Sequence, residues 1–260
     1  MMNITDIRMK SPLVLTYANF VTPQFVANVV NVVAASPLMS RELAEFKELA
    51  GIANAVIINT GTLQKVEIND IIKLSQEAYQ LGKPVVLDPV AVSVPFRSKT
   101  ITQFLASGHV DVIRGNAAEI AWFADIDFAS QGIDATGKGD VIEIAQRAAK
   151  KTGAVIALSG ACDVVSDGQY TQTLDINVEQ LSSIVGTGDA LSSLIGAFIA
   201  DGLKVPNVMN AMATFKLAGQ KAATKTNQPG SFTNQLLDEL FVIDNIDVQN
   251  FIKESVLNNG

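Results

Sequence analysis

The chain has 260 residues, with 19 Lys and Arg against 26 Asp and Glu, giving a formal net charge of −7. That acidic balance argues against a nucleic-acid partner or an anionic membrane surface, since both need clustered positive charge. One Cys and one His exclude a disulfide framework, thiolate metal clusters and any mechanism that needs two imidazoles. A Ser-His-Asp triad would have to use His109, and no G-x-S-x-G elbow accompanies it. The opening residues carry no apolar leader, and no run approaches the roughly eighteen apolar residues of a membrane span. A soluble, cytoplasmic protein is expected, built as one domain over residues 1–260. Hydrophobic residues make up 48% and charged ones only 17%, which allows a continuous core and extra buried surface such as an oligomer interface.

Short apolar runs alternate with longer helical patterns along the chain. Ala55–Ile58 reads as a buried strand, followed by the turn Asn59-Thr60-Gly61-Thr62. Glu67 to Leu81 then has the spacing of an amphipathic helix, stopped by Gly82-Lys83-Pro84 before a strand at Val85–Leu87. The cycle repeats with a helix near Ser98–Ala106, a strand at Val110–Ile113 and a helix from Ala117. A further helix over Lys138–Thr152 leads to a strand at Ala154–Leu158. Asp167-Gly168 reads as a hairpin turn between Val164–Ser166 and Tyr170–Leu174. The last third is helical over Thr187–Ala200, Val205–Thr224 and Phe232–Leu240, while residues 225–260 carry no motif. Strands separated by helices imply an α/β fold with a mostly parallel central sheet covered on both faces. In such sheets ligands bind beyond the carboxyl ends of the strands, so the polar turns after them should share one rim.

The most informative stretch is Gly186-Thr187-Gly188-Asp189. Two glycines open an apolar helix, where free N–H groups and the helix dipole form an anion hole. An Asp in that turn also reads as plain dipole compensation. Asn116-Ala117-Ala118-Glu119 places an amide and a carboxylate at helical spacing after a strand, suited to hydrated Mg²⁺ and phosphate oxygens, or simply to an exposed first turn. Asp88 closes an apolar strand as a second hard-cation ligand candidate, and Arg114 could clamp a phosphate or pair with an acid. Together, two carboxylates, an Arg and a glycine anion hole describe Mg-dependent phosphoryl transfer, in which the protein mostly positions groups and neutralises charge.

With these motifs the chain resembles the hydroxyethylthiazole kinase family of the ribokinase-like superfamily. The matching segments include Ser11–Val14 with Asn19–Val21, Ala35–Met39, Asn59–Leu63, Val86–Val92, Val112–Ile120 and Gly186–Ser192. They follow the family's order over residues 11 to 200. The resemblance implies a three-layer α/β/α fold and phosphorylation of 4-methyl-5-(2-hydroxyethyl)thiazole by ATP with Mg²⁺. It also implies a homotrimer with active sites between subunits. Carried over by position, Met39 and Gly186 contact the thiazole, and Asn19 and Gly61 line the same pocket. Arg114 and Ser159 serve ATP, and Asp88 and Glu119 organise Mg²⁺. The residues themselves, rather than the resemblance, suggest Asn116 beside the nucleotide and Asp189 as general base above the Gly186–Gly188 anion hole.

Two departures stand out. Many members carry Cys where this chain has Asp189, and an Asp can accept the hydroxyl proton directly. Relatives tend to read His-Cys-Ile-Thr-Asn where this chain has Leu15-Thr16-Tyr17-Ala18-Asn19, so a different alcohol is one expectation if those side chains touch substrate. A hydroxymethylpyrimidine-type kinase, a nicotinamide-nucleotide hydrate dehydratase and a non-catalytic nucleotide-binding protein are the alternatives on the same scaffold. Cys162 and Trp122 read as packing residues, and His109 as a solvated loop residue.

Overall fold

Residues 1–126 and 138–257 are described by the computed structural model. The elements run α1 (Ile4–Lys10), β1 (Leu13–Tyr17), α2 (Pro23–Val32), β2 (Ser36–Met39), α3 (Phe46–Ile52), β3 (Ala55–Asn59), α4 (Ile68–Gln80), β4 (Val85–Asp88) and α5 (Pro95–Ser107). They continue as β5 (Val112–Gly115), α6 (Ala117–Phe123), α7 (Lys138–Thr152), β6 (Val155–Leu158), β7 (Cys162–Ser166), β8 (Thr171–Asp175), α8 (Thr187–Ile199), α9 (Val205–Lys225), α10 (Pro229–Val242) and α11 (Asn245–Leu257). The strands form one eight-stranded sheet in the order β2-β1-β3-β4-β5-β6-β7-β8. β1 to β6 pair in parallel, and the hairpin β7–β8 continues the sheet antiparallel.

Alternation along each strand sends neighbouring side chains to opposite faces. Val14, Ile57 and Val86 join one core with α1, α2 and α8 to α11. Leu15, Val56, Ile58 and Leu87 join a second core with α3 to α7. The result is the three-layer α/β/α architecture that the alternation of elements implies.

β1 has β2 on one side and β3 on the other. The chain leaves β1 for α2 on one face and leaves β3 for α4 on the opposite face. Their carboxyl ends therefore part and open a crevice, the switch point where parallel sheets bind ligands.

Several boundaries differ from the sequence reading. β1, β2, α1, α2, α3 and α11 occupy stretches with no predicted element. β2 carries Pro37, which a strand tolerates only at an edge, and β2 is the edge. β5 starts at Val112 and runs on through Arg114, which brings that side chain to the rim. His109 lies in the loop before β5 with 32% of its side chain exposed, and it also has partners: its Nε2 lies 3.0 Å from Asp111 Oδ1 and its ring packs 4.1 Å from Tyr79. Cys162 is buried and Trp122 packs on the second core, as expected. No helix among the described residues is long and apolar enough to cross a membrane.

Ile57 lies in the first core on the central strand β3, with 1% exposure. Ile57→Ala should cost about 2–5 kcal/mol of unfolding free energy, read as a lowered urea midpoint with an unchanged slope.

Candidate active site

The switch-point crevice is closed by the start of α8. Gly186 is its N-cap residue at φ +95°, a left-handed backbone that favours glycine, and no side chain caps the helix. The first intrahelical bond runs from Ala190 N–H to the Gly186 carbonyl at 2.9 Å. The N–H groups of residues 187 to 189 are thus the helix donors left for a ligand.

Asp189, in that first turn, is held from both lips of the crevice. Asn19, two residues past β1, donates its Nδ2 to Asp189 Oδ2 at 2.7 Å, and Thr22 Oγ1 donates to the same oxygen at 2.5 Å. Asn59, the last residue of β3, donates its Nδ2 to Asp189 Oδ1 at 3.0 Å. Three donors occupy a carboxylate with about four acceptor positions, which leaves one on Oδ1 for an incoming hydroxyl. Asn19 also donates to Asn59 Oδ1 at 3.2 Å, and Gly61 N–H donates to that oxygen at 2.8 Å. A Cβ on Gly61 would stand 2.9 Å from Asn59 Oδ1, and one on Gly186 2.6 Å from Thr22 Cγ2. Asn19, Gly61, Gly186 and Asp189 therefore converge. Met39 stands at the end of β2, paired in register with Thr16 of β1, and packs on the first core.

A second cluster lies across β4, β5 and β6. Arg114 Nη2 donates to Ser159 Oγ at 2.6 Å, and its Nη1 is 3.5 Å from Asp88 Oδ2. Ser192 of α8 donates to the same Asp88 oxygen at 2.8 Å. Gly188 is the close approach that admits Arg114, because a Cβ there would overlap the guanidinium. The buried Arg114 Nε has no hydrogen-bond partner among the described residues, a donor left over for an anion. Arg114, Asn116, Ser159 and Gly188 open onto a cavity of about 450 Å³. Its far wall is apolar, formed by Val178, Leu181, Leu191, Met212 and Phe215.

Asn116 and Glu119 form a reciprocal capping box on α6. Asn116 Oδ1 accepts from Glu119 N–H at 2.9 Å, and Glu119 Oε2 accepts from Asn116 N–H at 2.9 Å. Glu119 Oε1 accepts from Ala91 N–H at 2.8 Å, tying α6 to the turn after β4. The exposed-first-turn reading of this motif thus has its local explanation, and the carboxylate still faces the Asp88 side of the rim.

Burial pushes the Asp88 carboxyl up to about 7; Arg114 opposes this, while the nearby charges of Asp189 and Glu119 add to it. The charges of Asp189 and Glu119 acting on Asp88 are the kind a hard cation would offset. No group of three His, Cys, Asp or Glu among the described residues could cage a metal. Asp88 and Glu119 are the residues that would hold Mg²⁺, an ion that binds through one or two carboxylates, water and substrate phosphates.

Thr22 and Ser192 have no role in the sequence reading, and Asn59 enters it only as the start of a turn expected on the rim. Thr22 had a readable signal, since it precedes a Pro at the first position of α2. The atypical segment 15–18 does not line the site. Leu15, Tyr17 and Ala18 are buried, and Tyr17 packs edge-on to Phe46 at 6.1 Å beneath the Arg41 guanidinium at 4.8 Å. Thr16 Oγ1 meets Ser193 Oγ of α8 at 3.3 Å. In this chain those side chains are packed in the core.

A parallel sheet with an Asp-bearing glycine helix start over its carboxyl rim defines a ribokinase-like α/β fold. A ribokinase-like superfamily protein from Enterococcus faecalis V583 shares it with a TM-score of 0.62, at 14% identity, over 88% of this chain and 86% of its own. The hydroxyethylthiazole kinase family profile matches residues 4–245. Hydroxyethylthiazole kinase 1 of Leuconostoc mesenteroides subsp. mesenteroides is 98% identical over 259 residues, spanning 100% of both chains. The structure of a hydroxyethylthiazole kinase protein from Pyrococcus horikoshii OT3 matches with a TM-score of 0.86 at 34% identity, over 95% of this chain and 94% of that one. The chain belongs to the hydroxyethylthiazole kinase family.

The Asp88 shift has a sign that thermal unfolding can read. Between its ordinary value of 3.8 and about 7, the folded protein keeps a proton on Asp88 that the unfolded chain has lost. Asp88 therefore makes stability fall as pH rises through that window, with no further loss above it. Asp88→Asn should flatten this slope, so its Tm relative to the native chain should rise between about pH 5 and about pH 8.

Proposed function

We propose that the chain transfers the γ-phosphoryl group of ATP to the hydroxyl of 4-methyl-5-(2-hydroxyethyl)thiazole, a step of thiamine salvage in the cytoplasm. The observation that carries this reading is the Asp189 carboxylate, held by Asn19, Thr22 and Asn59 in the first turn of an uncapped helix. The family relationship supports the choice of alcohol, and the placement of residues 15–18 inside the core removes the reason to depart from it.

In this mechanism Asn19, Gly61, Met39 and Gly186 hold the thiazole at the β1–β3 crevice. Asp189 Oδ1 accepts the hydroxyl proton as the alcohol oxygen bonds to the γ-phosphorus. The bond from γ-phosphorus to the bridging oxygen breaks, and its electron pair leaves with ADP. N–H groups of the Gly186–Gly188 turn and its first helical residues bind the charge that develops on the transferred group. Arg114 and Ser159 hold the nucleotide phosphates, and Asn116 keeps Glu119 oriented toward them. Asp88 and Glu119 would hold Mg²⁺, which when bound would neutralise phosphate charge.

The chain acts as one domain over residues 1–260 and assembles as a homotrimer with active sites between subunits. Phe20 and Val21, beside Asn19, are 70% and 64% exposed, and Val185, beside Gly186, is 75% exposed. An apolar rim around a substrate site is what a neighbouring subunit would cover.

ADP release from Mg-ATP should depend on the thiazole alcohol. Asp189→Asn keeps the shape of the three-donor site, so it should retain ATP binding while turnover falls by about 10²–10⁴-fold. Release driven only by a pyrimidine alcohol would overturn the substrate, and near-native turnover of the variant would remove Asp189 as base.

A further inference from the structure

The cavity beside Arg114 holds a second buried cation. Lys216 of α9 and Asp163 of β7 have side-chain exposures of only 6% and 2%, and both line the cavity. Lys216 Nζ donates to Asp163 Oδ1 at 2.6 Å and to the Gly160 carbonyl at 2.8 Å. Gly160 N–H donates to the same Asp163 oxygen at 3.0 Å. Both backbone polar groups of Gly160 are thus taken by one buried ion pair. The preceding residue, Ser159, presents its Oγ to Arg114 at 2.6 Å.

Stability does not call for such a pair. A buried ion pair replaced by apolar groups of similar volume is often neutral or stabilising, because desolvation offsets the attraction. The neighbours Met212 and Phe215 on α9 show that this wall accepts apolar side chains. What the pair does supply is geometry. It ties the exit of β6, the start of β7 and the middle of α9 to one turn. Burial pushes the Asp163 carboxyl up, and Lys216, the Gly160 N–H and Arg114 draw it back, so the two charged clusters sense one another.

We propose that Asp163 and Lys216 are positioning residues for the nucleotide, holding the Ser159-Gly160 turn so that Ser159 and Arg114 meet its phosphates. This rests on the proposed placement of ATP in the cavity. The alcohol end of the site, at Asn19 and Asp189, shares no side chain with this pair.

The decisive variant is the double substitution Asp163→Asn with Lys216→Met, which leaves no uncompensated buried charge. Its Tm should stay near the native value. Its KM for ATP, and the Kd of a non-hydrolysable ATP analogue by calorimetry, should rise about tenfold or more, with KM for the alcohol within about twofold. A merely structural pair would shift Tm and leave the nucleotide constants alone. Nucleotide constants within about twofold of native overturn the proposal. If the double variant does not fold, Lys216→Arg is read in the same way, since it keeps the charge but moves the donors. Arg114→Met separates the two readings. Analogue binding unchanged by Arg114→Met overturns the placement of ATP itself. Binding weakened by Arg114→Met but not by the pair variants overturns the positioning role alone.

Discussion

The site depends on one constraint: Asp189 is tied to the loops after β1 and β3 at the point where those strands diverge. Asn19, Thr22 and Asn59 reach it from both lips of the crevice. Each donor comes from a segment whose path is set by the parallel sheet, and the carboxylate comes from a helix packed across that sheet. The Asp189 carboxylate, the helix N–H groups and the crevice therefore cannot be placed independently. α8 is buried over almost its whole length, so its first turn is fixed by the core behind it rather than by a flexible loop.

The rest of the rim is organised by charge. Asp88 is buried to 1% exposure, balanced by Arg114 and bonded by Ser192. Asp163 is buried as deeply and balanced by Lys216. Each carboxylate sits where desolvation opposes its charge, and each is held by a cation that also lines the cavity beside Arg114. Such an arrangement resists rearrangement, because moving either partner would strand a charge in a region of low dielectric. A substrate that brings its own phosphates and metal meets groups already in place, which is how positioning contributes to phosphoryl transfer.

Much of this was legible in the sequence, for identifiable reasons. Central strands such as β3 are apolar over Ala55–Ile58 because both faces are covered, and the helices between them keep a clear period. The turns after β3, β4, β5 and β6 share a rim because parallel strands place all their carboxyl ends on one side. The Gly186–Asp189 turn alone also reads as plain dipole compensation, and it becomes readable only beside Asp88, Arg114 and the Asn116–Glu119 turn on the same rim. Other features depend on tertiary context. β2 contains a proline and is a strand only because it is an edge. Asn116-Ala117-Ala118-Glu119 serves as a capping box before it serves any ligand. Lys216 stands in a helix as an ordinary charged residue would, and only the fold shows it to be buried against Asp163. Residues 15–18 are buried, and no spacing rule in the sequence could separate packing from substrate contact there.

The most direct measurement is a crystal structure of the chain with a non-hydrolysable ATP analogue and the thiazole alcohol. The alcohol oxygen should lie within hydrogen-bond reach of Asp189 Oδ1, with the terminal phosphate on the N–H groups of residues 187 to 189 and the base against Met212 and Phe215. An alcohol oxygen turned away from Asp189, or phosphates bound away from the α8 start, would contradict the account.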